Sequence, residues 1–317
     1  MNRFFKSIFF STFIDIIASP FSFIAALWLK AISIMLKYLP IHNKIFMHLG
    51  VLPVRDHYYQ PLINPKKHIT KSLREDRNLP GIDFNIEEQL ALLASFNVDK
   101  ELELLTTHKG KELEYYYHNG SFESGDAEYL YNMIRLKIPK KIIEIGSGFS
   151  TRIATKAVQK NENGCVHTCI EPYEMSWLEK LGVEVIRKKV EDVDIAIFKS
   201  LQKNDILFID SSHIIRPQGD VLLEYLEILP QLNQGVIVHI HDIFTPKDYL
   251  DEFIFDYHYL WNEQYLLEAY LTDNNQYRVI GALNYLKHHY PNELSAKCPQ
   301  LQKENYREPG SFWMVRN

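Results

Sequence analysis

The stretch Lys140-Lys141-Ile142-Ile143-Glu144-Ile145-Gly146-Ser147-Gly148-Phe149-Ser150-Thr151 decides the fold of this 317-residue chain. Ile142, Ile143 and Ile145 read as a short apolar strand. Gly146 and Gly148 end it in a tight turn, because a glycine backbone can bend sharply and lie against a ligand with no Cβ in the way. Ser150 or Thr151 is placed to cap a helix over 151–160, whose free N–H groups form a polar cradle. A strand, turn and helix of this kind seat a nucleotide-like ligand.

A dinucleotide fingerprint would want a third glycine where Thr151 stands. Glu144, two residues before Gly146, would repel a pyrophosphate and welcome a cationic amino acid group. The pattern Glu144-x-Gly146-x-Gly148 resembles motif I of the class I S-adenosylmethionine-dependent methyltransferases. That resemblance implies that Glu144, Gly146, Ser147 and Gly148 hold the amino acid part of the cofactor.

Working outward, strands and helices alternate. An apolar strand over 166–170 ends at Glu171, about twenty residues past the turn, where an acid can accept both ribose hydroxyls. A helix over 175–181, a strand over 183–187 and Val190-Glu191-Asp192 follow; the resemblance puts adenine contacts at Glu191. The continuous apolar run 206–209 suits a strand buried on both faces and delivers Asp210-Ser211-Ser212-His213. A helix over 220–229 leads to a strand over 236–240, which delivers His241-Asp242. This alternation predicts an α/β, Rossmann-like, doubly wound and mostly parallel sheet. Residues 251–270 read as one helix, 277–280 as a strand, the stretch to His289 as a helix and 310–315 as a last strand. By resemblance these give the antiparallel β6–β7 ending of the class I methyltransferase sheet.

Ligands of open α/β sheets bind at the carboxyl ends of the strands. Asp210, His213, His241 and Asp242 are therefore the candidate catalytic residues, with Asp210 also beside the cofactor. Histidine has the right unperturbed pKa to take a proton from an acceptor hydroxyl. The constellation is similar to that of bacterial small-molecule and sugar O-methyltransferases, in which acids at these strand ends bind magnesium. A divalent metal would use Asp210 and Asp242, although Ser212 and His241 replace two of the family's acids. His239 alternates away from this edge. Phe122, Ser124 and Asp126, in a turn-rich run before a helix over 127–136, are second-rank candidates for a loop over the cofactor.

The amino-terminal residues 1–40 form a hydrophobic leader whose only charge between Ser7 and Leu29 is Asp15. Its length permits a membrane span, but Asp15 and Pro20 suit two helices broken at Pro20 and lying in the membrane interface. Soluble packing is the third reading. Residues 41–109 read as an irregular, proline-bearing connector and a helical cap with amphipathic helices over 87–105, and 110–317 as the methyltransferase domain. A net charge of -5 without a basic block argues against a nucleic acid partner, and three cysteines without a CxxC pair suit a reducing, cytoplasmic setting. The expected partner is a small-molecule or glycan acceptor, with the enzyme peripheral to or anchored at the cytoplasmic membrane face. Two other functions share some of these features: a non-catalytic nucleotide-binding scaffold at the membrane, and an NAD-dependent sugar-modifying enzyme.

Overall fold

The computed structural model describes residues 2–173 and 175–317, and of residues 2–11 the backbone alone. Met1 and the side chains at the start of the leader lie outside the described residues. The chain forms two compact units, Met1–Lys71 and Ser72–Asn317.

In the first unit a single helix, Asn2–Met35, passes through Pro20 unbroken, so the expected break there is absent. Proline has no N–H to offer the carbonyl of Ile16, and the Ser19 hydroxyl donates to that oxygen instead at 2.9 Å. Phe13, Ile17, Phe21, Ile24 and Trp28 are exposed along this helix. A second helix, Pro40–Leu49, stops at Gly50, whose φ of +69° suits glycine.

The second unit is built on one seven-stranded sheet: β1 (Lys141–Ile145), β2 (Val166–Ile170), β3 (Glu184–Ile186), β4 (Ile206–Ile209), β5 (Ile237–Ile240), β6 (Tyr277–Ala282) and β7 (Phe312–Arg316). The order across it is β3-β2-β1-β4-β5-β7-β6. β1 to β5 run parallel, while β7 is antiparallel to both β5 and β6. Alternation along each strand splits the core. Ile142, Phe208, Ile237 and Trp313 face helices Asp126–Lys137 and Phe149–Asn161. Ile143, Leu207, Val238 and Met314 face Val221, Tyr225 and Leu267 on the other side. The order of the strands reverses between β1 and β4, and the crevice at that point is where such a sheet binds its ligand.

The amphipathic segment becomes helices Ile86–Ala94 and Asp99–Leu102, and Gln89 Oε1 accepts the Ala282 N–H of β6 at 2.7 Å. Three expected helices differ. Residues 251–270 are two helices, Asp251–Phe255 and Glu263–Leu271. Between them His258 takes φ +57° and Tyr259 stacks on Trp261 at 4.8 Å, so the aromatics close a loop rather than a helix face. Of 175–181 only a 3₁₀ turn forms, Leu178–Leu181. The helix from Asp220 widens into a π turn, Glu224–Ile228, just ahead of Pro230, which has no N–H to continue an α ladder.

Candidate active site

The glycine turn is locked from below and in front. Gly146 has φ +78°, and a Cβ on it would lie 1.9 Å from the Asp210 carbonyl oxygen. Only glycine fits where the ends of β1 and β4 approach this closely. Gly146 N–H donates to Ile170 O (3.1 Å) and Asp210 N–H to Ile145 O (2.9 Å), so three strand ends are tied together. Gly148 is different: its φ of 176° is ordinary extended backbone, and a Cβ there would meet nothing closer than the Met175 methyl at 4.0 Å.

Gly148 itself is the N-cap of helix Phe149–Asn161, and neither Ser150 nor Thr151 takes that position. Thr151 sits three residues in, where its hydroxyl accepts the Gly148 N–H (3.0 Å) and donates to Glu144 Oε2 (2.5 Å). Glu144 is fully buried behind the turn, against Thr151, Cys169 and His167. Its carboxylate does not line the cleft.

Glu171 does. At the end of β2 its carboxylate accepts the Ser147 N–H (3.3 Å) and the Tyr173 N–H (2.9 Å). It shares a cleft of about 450 Å³ with Ile145, Gly146, Glu191, Asp210, Ser212 and Arg216. That volume lies in the usual small-molecule range of roughly 300–1,000 Å³. Sequence reasoning named Glu171, Glu191 and Asp210; it missed Tyr173, Lys189 and Arg216 in loops and Asp220 at a helix start on the same walls, because such positions carry no period that reveals what they face.

Beside the cleft the four candidate catalytic residues come together. His213, held at φ +58°, hydrogen-bonds through Nδ1 to Glu263 Oε2 at 2.8 Å. Its Nε2 stands 3.4 Å from Asp210 Oδ1 and 3.7 Å from Asp242 Oδ2. Burial alone would depress His213, but Asp210, Glu263 and Asp242 outweigh it and raise its pKa well above the ordinary imidazole value. Surrounded by these carboxylates, His213 favours its protonated form. Asp210 is the counterpart: burial pushes its carboxyl up, yet His241 and His213 hold it at about 2.

His241 Nε2 lies 3.8 Å from Asp242 Oδ1, while its Nδ1 is buried without a hydrogen-bond partner. Burial lowers its pKa, and Asp242, Asp210 and Asp126 together raise it. Of the second-rank candidates, the Phe122 ring lies 5.0 Å from that of His241, and Asp126 accepts the Ser311 N–H at 2.7 Å. Ser124 instead donates to Glu304 at 2.8 Å. His239 is a core residue, stacked on Phe208 at 4.1 Å and bonded to Ser311 Oγ at 2.9 Å. Burial and the nearby His241 keep it neutral.

Glu263 is the residue that sequence reasoning missed at this centre. It is fully buried at the start of its helix and also accepts from Tyr225 OH at 3.2 Å. Asn262 and Glu263 N–H groups both donate to His213 O, and Trp261 packs on the imidazole at 4.5 Å.

A divalent cation would take its oxygens from Asp210 and Asp242. Asp210 lies 3.4 Å from His213 Nε2, and Asp242 lies 3.7 and 3.8 Å from His213 and His241. The carboxylates stand among imidazoles rather than the oxygen ligands that a hard cation such as magnesium prefers, and this donor set does not fit it. S-adenosylmethionine does fit: Gly146 and the carboxylate of Glu171, at the ends of β1 and β2, line one small-molecule cleft.

A profile of the methyltransferase domain family matches residues 143–243. An uncharacterized protein of Archaeoglobus fulgidus is 34% identical over 164 residues, covering 47% of this chain and 74% of the relative. Among solved structures, a methyltransferase of Podospora anserina bound to S-adenosylhomocysteine (SAH) is 14% identical, with a TM-score of 0.38, over 77% of this chain and 91% of that one. A plantazolicin methyltransferase in complex with SAH and a desmethylplantazolicin analogue is 13% identical, with a TM-score of 0.39, over 74% and 98%. These superpositions are too loose to weigh; the profile match and the sheet order carry the assignment. The chain belongs to the class I S-adenosylmethionine-dependent methyltransferases. It is an enzyme of that class, and neither the scaffold nor the nicotinamide reading finds support.

Proposed function

We propose that this methyltransferase transfers the methyl group of S-adenosylmethionine to a hydroxyl of a small-molecule, sugar or lipid-linked acceptor. The observation that carries the reading is the acid and imidazole network of Asp210, His213, His241 and Asp242 beside the glycine turn. When bound, the cofactor supplies an electrophilic methyl on a sulfonium. The turn from Gly146 to Gly148 holds its amino acid part with Glu144 bracing the turn from behind, Glu171 takes the ribose and Glu191 borders the adenine.

The two histidines divide the work. His213 has both ring nitrogens facing carboxylates, so it acts as a fixed positive charge that orients Asp210 and Asp242. His241 keeps one ring nitrogen unpartnered and has raised basicity, which suits it to receive the acceptor's proton. The exposed apolar helix, hydrophobic over Thr12–Tyr38, supports lipid contact and an acceptor presented at the cytoplasmic membrane face.

Calorimetric titration of the full-length protein with S-adenosylmethionine, SAH and NAD in parallel tests the cofactor. Binding of the first two and not of NAD is expected; a folded protein that binds neither methyl-cycle ligand refutes the reading. Transfer of radiolabelled methyl to base-stable ether products in fractionated sugar and lipid extracts tests the acceptor, and label found only on amines overturns the hydroxyl. Flotation with anionic liposomes tests the helix, and failure to float removes the membrane from the proposal.

A further inference from the structure

Behind the glycine turn, on the side of the sheet away from the cleft mouth, lies a second set of chemically able side chains. His167 and Cys169 are two residues apart on β2 and so share one face, and Cys169 pairs in register with Glu144 on β1. Glu144 and Cys169 are fully buried and His167 nearly so. One ligand atom from each lies within 4.8 Å of the others. His167 Nε2 is 3.4 Å from Glu144 Oε2, and Cys169 Sγ is also 3.4 Å from it.

This pocket leaves polar atoms unanswered. Glu144 Oε1 and His167 Nδ1 are buried with no hydrogen-bond partner, and His167 Nε2 has only its long 3.4 Å approach to Glu144 Oε2. Orphaned polar atoms are rare in protein interiors, and a cluster of them calls for an ion or a water between them. The donor chemistry favours an ion. Thiolate, imidazole and carboxylate are the set that zinc prefers, with bonds of about 2.3, 2.0 and 2.0–2.2 Å. A tetrahedral centre with those bonds spaces its donors about 3.3–3.6 Å apart, which is the spacing seen from Glu144 to His167 and Cys169.

We propose that Glu144, His167 and Cys169 form a buried structural zinc site that braces the cofactor turn. A thiolate and a carboxylate carry two negative charges, and with a neutral imidazole they balance one divalent cation at a site buried from bulk solvent. Coordination replaces the thiol proton of Cys169, which leaves to solvent as the metal binds. A water in the fourth position would find Ser147 Oγ, beside Cys169, as its partner. Glu144 also accepts from Thr151, so the metal would clasp β1, β2 and the first turn of helix Phe149–Asn161 into one unit.

The test uses the full-length protein, purified without a histidine tag or chelator. Plasma mass spectrometry is expected to find stoichiometric zinc, lost in Cys169→Ser and in His167→Gln. Exchange for cobalt should give a thiolate charge-transfer band, absent from Cys169→Ser and retained in Asp210→Asn, which separates this site from the carboxylates at the sheet edge. Folded protein with substoichiometric metal and no such band overturns the proposal, as does stoichiometric metal without the band. The same samples titrated with S-adenosylmethionine keep the two readings apart. Cofactor binding by metal-free protein removes only the zinc site, and zinc-bearing protein that ignores the cofactor removes only the assignment of the cleft.

Discussion

Replacing Gly146 by alanine strikes the point where three strand ends meet. Its Cβ would stand 1.9 Å from Asp210 O, and real Cβ atoms stay at least 3.0 Å from such neighbours, so the ends of β1 and β4 must part by at least the 1.1 Å difference. Alanine at φ +78° costs about 1–2 kcal/mol by itself. The Gly146-to-Ile170 and Asp210-to-Ile145 hydrogen bonds are worth about 1 kcal/mol each. The sum, roughly 3–4 kcal/mol, corresponds to a fall in Tm of about 6–16 °C for a unit of this size. Moving Asp210 and the turn by an ångström should also weaken S-adenosylmethionine binding, by roughly tenfold for each hydrogen bond to the cofactor that is lost. Differential scanning calorimetry and isothermal titration read the two effects. Gly148→Ala is the control, with an extended φ and its nearest neighbour at 4.0 Å. Its Tm should stay within about 2 °C of wild type while cofactor affinity falls, because the new methyl occupies the ligand's approach. Wild-type melting and affinity in Gly146→Ala would refute the account of the turn.

Glu171→Ala removes the acceptor that faces the cleft from β2. Loss of hydrogen bonds to a charged acceptor, about 1.5–3 kcal/mol, should weaken S-adenosylmethionine binding roughly ten- to hundredfold; unchanged affinity in titration would sink the ribose assignment. The raised pKa of His213 stabilises the fold fully below the unfolded imidazole value of ~6.5, and that stability is lost as pH rises through the elevated folded value. Urea melts across this range should show a decline on the alkaline side that His213→Gln flattens. Asp210 has the opposite sign: its depressed pKa of about 2 adds stability above ~3.8 that disappears as pH falls through 2, which acid melts of Asp210→Asn would reveal by its absence. Glu263→Gln takes a charge from His213 Nδ1 while leaving the packing nearly unchanged. The upper limb of the kcat profile should shift to lower pH, and an unmoved profile would make Glu263 a packing residue only.

The sheet was legible in the sequence because its evidence is local. Apolar runs such as Ile206-Leu207-Phe208-Ile209, abruptly followed by Asp210, announce a buried strand and its ligand-binding end. The glycine turn is legible for the same reason, since close backbone approach has few solutions besides glycine. The expected helix ends misled where a side-chain contact, near or distant, decided the outcome. Pro20 suggested a break, but the Ser19 hydroxyl one residue away takes the carbonyl it abandons. Residues 251–270 had the composition of a helix, yet Trp261 leaves the helical path to pack on His213.

Composition and spacing, then, determined the order of strands and helices, the glycine turn and which acids and histidines stand at strand ends, because each follows from a residue and its near neighbours. Only the tertiary structure decided what those groups do. It turned Glu144 away from the cleft, brought Glu263 across fifty residues of chain to His213, and set one histidine between carboxylates and another in the core. Charge state depends on burial and on the charges within a few ångströms, and those neighbours are chosen by the fold.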